Sequence, residues 1–598
     1  MKKVRIFIKS VRYSFGLAFR SGKSVLIFLF VLAVLTATLP ILASLFLKQI
    51  IDFLTEAKEN TNFLILYIAL YIISLVCMQG INSAYKIAVD SVIQKSKCEH
   101  NLNVLRRIEK LPVSFIDSSK GRNIIDDVRH SEEAMVNLAS RIIYVFSMTY
   151  KFCVALIPLA RFNIIFVSVF LSLTIPGIIL DHIFNKKTEA LRLKTAPDVR
   201  KFLYYRWILT DSWPAKDVRT YDLTEPIKGR YDAERNAFRD ANKALDKKKT
   251  ASSIFSEIII RCGEFAFIIY VIFEALKGDL SIGNVSFYIS LSLTVISSFK
   301  SVISTITYWY GVTVRQAERM FYFFGSEHSY EPDKSEKLGK FESLEFRDVY
   351  FKYPKTDKYV LSGVSFTLCR GDKLSIVGIN GSGKTSIIKL MLGLYNADSG
   401  QILINGCPLS DYDIKDVRRM FSVLFQSFVQ YPLTLRDNVA LSDLRRKSHD
   451  QEIINALKKA DIHDELSEKL SIGLDSYMTR RFDDRGTELS KGQWQKVALA
   501  RAYFKNSEII VFDEPSAALD AEAEDKIFKN YCSISDNRTC IMISHRISSS
   551  RISDKVIVLD KGKIVESGSH EQLLSLNGLY AKLFNMQKEK YTLGEDLQ

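Results

Sequence analysis

Six apolar runs of about twenty residues, each able to cross roughly 30 Å of hydrocarbon as a helix, occupy the first half of this chain. They are Ser24–Leu47, Phe63–Ser83, Ile142–Ala160, Phe162–Phe184, Ser252–Leu276 and Gly283–Ile306. Lipid offers the backbone no hydrogen bonds, so such runs fold as helices that satisfy their own amides. Beyond residue 340 the pattern changes to short alternating strands and amphipathic helices. The expected fold class is therefore a six-span α-helical membrane domain fused to a C-terminal α/β domain. Whole-chain averages of 47% hydrophobic and 25% charged residues conceal that split. The pattern excludes disorder, collagen and a small disulfide scaffold.

A net charge of +15 invites a nucleic-acid reading, but the basic residues cluster between the apolar runs. Met1 to Ser24 holds seven basic and no acidic residues, and Asn185 to Thr250 holds seventeen Lys and Arg. Lys48 to Asn62 carries two Lys against Asp52, Glu56 and Glu59. This is the positive-inside asymmetry of a multi-pass protein of the cytoplasmic membrane, with both termini and the long intervals 84–141 and 185–251 in the cytosol. No nucleic-acid partner is expected; the lipid bilayer is. The first run is too long for a signal peptide and lacks a small-residue cleavage site, so it is expected to stay as an anchor. Pro40 and Pro176 fall inside runs and read as kinks that a membrane helix tolerates. The eight cysteines show neither CxxC nor metal-ligand spacing and read as reduced thiols.

Residues 1–321 form the expected membrane domain with its coupling intervals, 322–340 a polar linker, 341–586 the α/β domain and 587–598 a tail. In the third of these, the strand Lys373–Val377 runs into Gly378-Ile-Asn-Gly-Ser-Gly-Lys384-Thr385 and then an apolar helix. This is G-x-x-x-x-G-K-[ST] in its strand–loop–helix setting: Gly378, Asn380, Gly381, Ser382 and Gly383 let amides wrap a polyphosphate. Lys384 reaches its β/γ-phosphates, and Thr385, followed by Ser386, meets Mg²⁺. The run EIIVFDEP is an apolar strand ending in Asp513, suited to hold Mg²⁺, and Glu514, suited to polarise an attacking water. A surface acidic pair is the bland alternative, and two acids straight after a buried strand make it a poor one.

Between these motifs lies LSKGQWQKVALARA, and after them MISHR. In this order and spacing the chain resembles the ATP-binding-cassette family, and the resemblance covers nearly all of it. It implies bound ATP and Mg²⁺, with each nucleotide held between the P-loop of one cassette and the signature of another. Further matches are Gln426 in LFQSF, implied to touch Mg²⁺ and face the membrane domain; Tyr353 in YFKYP, implied to stack on adenine; Asp520 in SAALD; and His545 in MISHR. Glu514, His545 and Gln426 are thus the implied catalytic set, and Thr385, Gln426 and Asp513 the implied metal set. Ser490, Gly492 and Gln493 are implied to address the opposing γ-phosphate. Lys491 stands where the family more often has glycine, so a strained backbone is expected there.

Six spans followed by one cassette is the exporter half-transporter layout, so a second half is required. A homodimer is expected because Glu514 and His545 are intact, and a heterodimer with a degenerate partner is the alternative. LPVSFIDSSKGRNIIDDVRHSEEAM and AKDVRTYDLTE resemble the two coupling segments of such exporters. A soluble DNA-acting ATPase is refuted by the spans; a gated channel of the same architecture stays open, and a receptor or scaffold would not need the whole catalytic set. For cargo, FQSFVQYPLTLRDNVAL and GQWQKVALARA resemble cassettes of bacterial peptide exporters of the bacteriocin or lantibiotic type. The first cysteine is Cys77, so no N-terminal cysteine peptidase is expected. Multidrug or lipid export is the alternative. Lys151, Arg261, Glu264 and Lys300 are candidate cavity residues, although Glu257, Arg261 and Glu264 could simply pair along one helix face.

Overall fold

The structure is a computed structural model that describes residues 2–55, 61–325, 338–514, 538–544 and 547–595. The chain divides into two compact units, residues 1–109 with 123–326, and residues 110–122 with 327–598. The interval 110–122, which chain order places between two membrane helices, thus belongs with the cassette.

The first unit is helical. Its elements are α1 (Lys2–Ser21), α2 (Lys23–Thr55), α3 (Thr61–Glu109), α5 (Ser119–Ser172), α6 (Ile175–Thr210), α7 (Ala215–Thr220), α8 (Thr224–Leu276) and α9 (Ile282–Gly325), while the short α4 (Val113–Asp117) lies in the second unit. At 1.5 Å per residue the 49-residue α3 is about 73 Å long, far beyond a ~30 Å hydrocarbon layer, so the basic intervals continue the spanning helices. α2 packs on α3 and α9, and α6 on α8. Leu29, Ala33, Ala88, Val92 and Ile143 form one core, and Ala155, Leu159, Phe267, Val271, Leu291 and Val295 another. Ile65, Val76 and Ile165 point outward, as lipid-facing side chains do.

Among the described residues four helical stretches are long and apolar enough to cross a membrane: Lys23–Thr55, Thr61–Glu109, Ser119–Val169 and Ile282–Thr307. The expected third and fourth runs are parted at Asn163, whose backbone is extended (φ −158°, ψ 102°). Its Oδ1 accepts from the Phe166 amide at 3.0 Å and starts a new helix, while Nδ2 donates to the Tyr270 hydroxyl at 2.9 Å. The fourth run then crosses a turn at Leu173–Thr174. Pro176 is therefore not a kink within a helix: it sits in the first turn of α6, where a missing N–H costs nothing. Pro40 does lie inside α2. The fifth run lies in α8, where Glu257, Arg261 and Glu264 interrupt its apolar face. α9 continues to Gly325, into the stretch expected to be linker, because Phe323 is buried there beside Phe324. Residues 326–337 lie outside the described part.

The second unit is an α/β domain. In chain order its further elements are β1 (Ser343–Phe351), β2 (Leu361–Cys369), β3 (Lys373–Gly378), α10 (Lys384–Met391), β4 (Ser399–Ile404), β5 (Cys407–Pro408), α11 (Ile414–Met420), β6 (Phe421–Leu424) and α12 (Leu435–Ala440). There follow α13 (Asp450–Lys459), α14 (His463–Lys469), α15 (Lys491–Phe504), β7 (Ile509–Asp513), β8 (Thr539–Ile543), β9 (Lys555–Asp560), β10 (Lys563–Gly568), α16 (His570–Ser575) and α17 (Leu579–Glu595). One sheet is antiparallel, in the order β2-β1-β4-β5; the other runs β10-β9-β3-β8-β7-β6 and is parallel except at β10. All five residues of β7 and of β8 are buried, as expected for parallel strands covered on both faces. Pairing of Leu424 with Phe512 and of Asp513 with Ile543 aligns the C-terminal ends of β6, β7 and β8 beside that of β3. That edge is where parallel α/β sheets place their ligands.

Candidate functional site

At this edge β3 leads into α10 through the glycine loop. Gly383 has φ +108°, and a Cβ there would stand 2.7 Å from Leu361 Cδ2 and 2.9 Å from the Val360 oxygen. Gly378 has φ +156°, and a Cβ would meet the Leu559 oxygen at 2.2 Å. Only glycine fits either place, so the loop's curvature is written into the sequence. Lys384, 6% exposed, turns its Nζ back to the Gly378 and Ile379 carbonyls at 2.8 and 3.0 Å. Burial holds its pKa below the usual lysine value, against the pull of Glu514 and Asp513. Ser382 is buried, and its Oγ has no hydrogen-bond partner among the described residues. Amides, a helix N-terminus and a lysine converging on one hollow make an anion cradle.

Gln426 follows β6, and Asp513 and Glu514 end β7. The Gln426 amide Nε2 donates to Glu514 Oε2 at 2.5 Å. Glu514 itself sits in the left-handed region at φ +55°, its amide bonded to the Ile543 oxygen at 2.9 Å. A non-glycine residue held there stores of order 1 kcal/mol, a cost typical of functional positions. Asp513 is 1% exposed, and burial above all raises its pKa from 3.8 to about 6. Its Oδ1 lies 3.5 Å from Thr385 Oγ1, and its Oδ2 is buried without a hydrogen-bond partner among the described residues. An unpartnered carboxylate oxygen beside a hydroxyl is the hard-oxygen set that suits Mg²⁺, so the residues fit that ion.

Tyr353 stands at the rim. Its hydroxyl lies 3.0 Å from Ser386 Oγ, and its ring meets those of Phe351 and Tyr395 edge-on at 5.0 and 5.3 Å. With Asn380, Gly381, Gly383, Lys384, Thr385, Ser386, Gln426 and Glu514 it lines a single open cleft of about 350 Å³. The structure thus gathers most of the sequence-derived residues in one place. Ser490, Gly492 and Gln493 are not among the lining residues. They form the start of α15: Ser490 Oγ accepts from the Gln493 amide at 3.2 Å, and Gln493 Oε1 accepts from the Ser490 amide at 2.8 Å. The Gln493 amide nitrogen also donates to Glu465, a residue of α14 that no motif singled out. His545 and Asp520 lie outside the described residues.

Lys491 corrects an expectation. It is the first residue of α15 and is absent from the positive-φ residues, so no glycine-only conformation is imposed on it. Position 491 tolerates a side chain because Ser490 caps the helix immediately before it.

In the first unit, Lys300 of α9 pairs with Glu257 at 2.5 Å, and Arg261 pairs with Glu257 at 3.4 Å and Glu264 at 2.6 Å. The four residues line a cavity of about 580 Å³ between α8 and α9, which Lys151 does not line. The bland reading, pairing along one helix face, is therefore part of the observed arrangement.

The ABC transporter family model matches residues 361–517, and the ABC transporter transmembrane region matches residues 26–299. The subtilin transport ATP-binding protein SpaT of Bacillus subtilis is 28% identical over 100% of this chain and 97% of its own length. The nisin transport ATP-binding protein NisT of Lactococcus lactis is 29% identical over 95% of this chain and 94% of its own. An ATP-dependent lipid A-core flippase of Xylella fastidiosa is 32% identical over 62% of each chain. A bacterial Atm1-family ABC exporter solved with ATP bound superposes with a TM-score of 0.80 at 23% identity, over 95% of this chain and 99% of that one. With the helical membrane unit, the glycine loop and the paired acids in place, these matches show that the chain belongs to the ABC transporters, as a multi-pass exporter half-transporter whose ATPase drives transport.

Proposed function

We propose that the protein works as a homodimer that exports a bacterial peptide of the lantibiotic type across the cytoplasmic membrane by alternating access, with both termini and the long intervals cytosolic. The observation that carries this reading is the extent of likeness: the subtilin and nisin transport proteins match over 95% or more of this chain, membrane half included. The flippase match covers 62%. Cargo is chosen in the membrane half, so a match that includes all of it weighs more. The polar cavity bearing Glu257, Arg261, Glu264 and Lys300 also suits a peptide better than a uniformly apolar solute.

In this reading Tyr353 stacks on adenine, while the amides of residues 378–383 and Lys384 hold the phosphates. Thr385, Gln426 and Asp513 would hold Mg²⁺, which when bound neutralises charge on the β- and γ-phosphates. Glu514 orients and deprotonates the attacking water, and Gln426, bonded to Glu514, keeps that carboxylate aimed at the γ-position. His545 completes the set by resemblance. Ser490, Gly492, Gln493 and Asp520 serve the nucleotide of the partner cassette, which makes a dimer obligatory. The conclusion is tested by ATPase assays in proteoliposomes. Stimulation by lantibiotic-type peptides supports it, whereas stimulation only by cationic drugs or lipids moves the protein to the multidrug or lipid-export reading.

A further inference from the structure

α4 and the residues around it belong with the cassette, and one hydrogen bond ties them to the aromatic cluster beside the cleft. The Tyr395 hydroxyl, 278 residues along the chain, donates to Asp117 Oδ2 at 2.6 Å. Tyr395 is 7% exposed, and both burial and this bond to a carboxylate hold its proton far more tightly than in a free phenol. On its other side the Tyr395 ring lies edge-on to Tyr353 at 5.3 Å. Lys389 Nζ sits over both rings, at 5.1 and 5.7 Å, and donates to the Tyr353 hydroxyl at 3.3 Å. Val113 packs on the same cassette core that contains Tyr395, and Lys355 Nζ reaches Ser119 Oγ at 2.6 Å, so the interval is held at both ends.

We propose that Tyr395 is a positioning residue that reports occupancy of the base site to the interval 110–122. The inference rests on the reading of Tyr353 as the adenine-stacking residue. A base laid on Tyr353 fixes that ring. The aromatic edge contact and the shared Lys389 restrict Tyr395 in turn, and its hydroxyl then locks Asp117. Chain order puts Asp117 between α3 and α5, so a change at the base reaches, through this phenol, the interval that joins those two helices. Each contact is short-ranged and direct, so no diffuse pathway is needed. A purely structural role would stabilise the interval equally with and without nucleotide.

The test is hydrogen exchange of residues 110–122 in full-length protein in nanodiscs, with and without a non-hydrolysable ATP analogue and Mg²⁺. The parent is expected to lose at least half of its exchange in that interval on binding. Tyr395→Phe, which keeps the ring and loses only the hydroxyl, is expected to abolish the nucleotide-dependent change while analogue affinity stays within about twofold. Asp117→Asn keeps an acceptor oxygen and is expected to retain most of the change. Tyr353→Ala is expected to weaken analogue binding by about tenfold. A Tyr395→Phe protein that shows the parental change overturns the relay and leaves the base-site reading intact. Unaltered analogue binding by Tyr353→Ala overturns both.

Discussion

The Gln426 side chain grips the Glu514 carboxylate at 2.5 Å, joining the loop after β6 to the end of β7 across the floor of the nucleotide cleft. The carboxylate is therefore oriented by a neutral amide donor, a partner that steers without taking its charge. Replacing Glu514 by Gln keeps the shape of the site and removes its basicity. Phosphate release is expected to fall by about 10²–10⁴-fold, while binding of labelled ATP persists. Parental turnover in Glu514→Gln would remove Glu514 from its proposed role.

Asp513 makes the metal-free protein sensitive to pH. Its pKa rises on folding from 3.8 to about 6, so the folded state holds its proton more tightly than the unfolded chain. The associated stability is present below about pH 4 and is lost as pH rises through about 6, a cost of about 3 kcal/mol at neutrality. Melting in a chelator should therefore show a cassette transition that falls across this window in the parent and stays flatter in Asp513→Asn. Mg²⁺ with ATP, which favours the ionised carboxylate, should raise the parental transition at pH 7.5 and leave that of Asp513→Asn nearly unmoved. Identical pH profiles for the two proteins would contradict this account of Asp513.

Much of the site was legible because its chemistry is local in sequence. Gly378, Gly383, Lys384 and Thr385 lie within eight positions, and the two glycines are required by φ and by Leu559 and Leu361. The paired acids are marked by the apolar strand before them. What escaped depends on distant partners or on backbone state. Asn163 looks like one more polar residue between two apolar runs, until its cap on Phe166 and its bond to Tyr270 show it ending one helix and starting the next. Pro176 reads as a kink only if the turn at Thr174 is unknown. The left-handed Glu514, the Glu465–Gln493 bond and the Tyr395–Asp117 bond leave no trace in any motif.

Lys491 illustrates a pattern-based expectation that the backbone reverses. Since it occupies the first turn of α15 with Ser490 as cap, Lys491→Gly relieves no strain. The exchange should leave stability unchanged or lower it by up to about 1 kcal/mol, and thermal melting of the purified protein checks this. A clear rise in melting temperature would restore the strained reading.

The ion pairs of α8 and α9 make a further expectation for the membrane unit. Lys300→Met leaves Glu257 facing the cavity with only Arg261 nearby, so the yield of monodisperse protein should fall. Neutralising both partners, as Glu257→Gln with Lys300→Met, should recover most of it, because it restores the charge balance with Arg261 and Glu264, and an uncompensated charge costs more than none. Equal losses in the single and double variants, read by size-exclusion chromatography after extraction, would show that the pair does not act as a unit.

The proposed transport is vectorial: ATP hydrolysis is expected to move a peptide out of the cell. Its most direct measurement is uptake of a fluorescent lantibiotic-type peptide into proteoliposomes with the cassettes facing outward, given Mg²⁺ and ATP. ATP-dependent accumulation inside the vesicles is expected of the parent protein and none of Glu514→Gln. ATP-dependent translocation of lipid or drug with no peptide accumulation under the same conditions would contradict it.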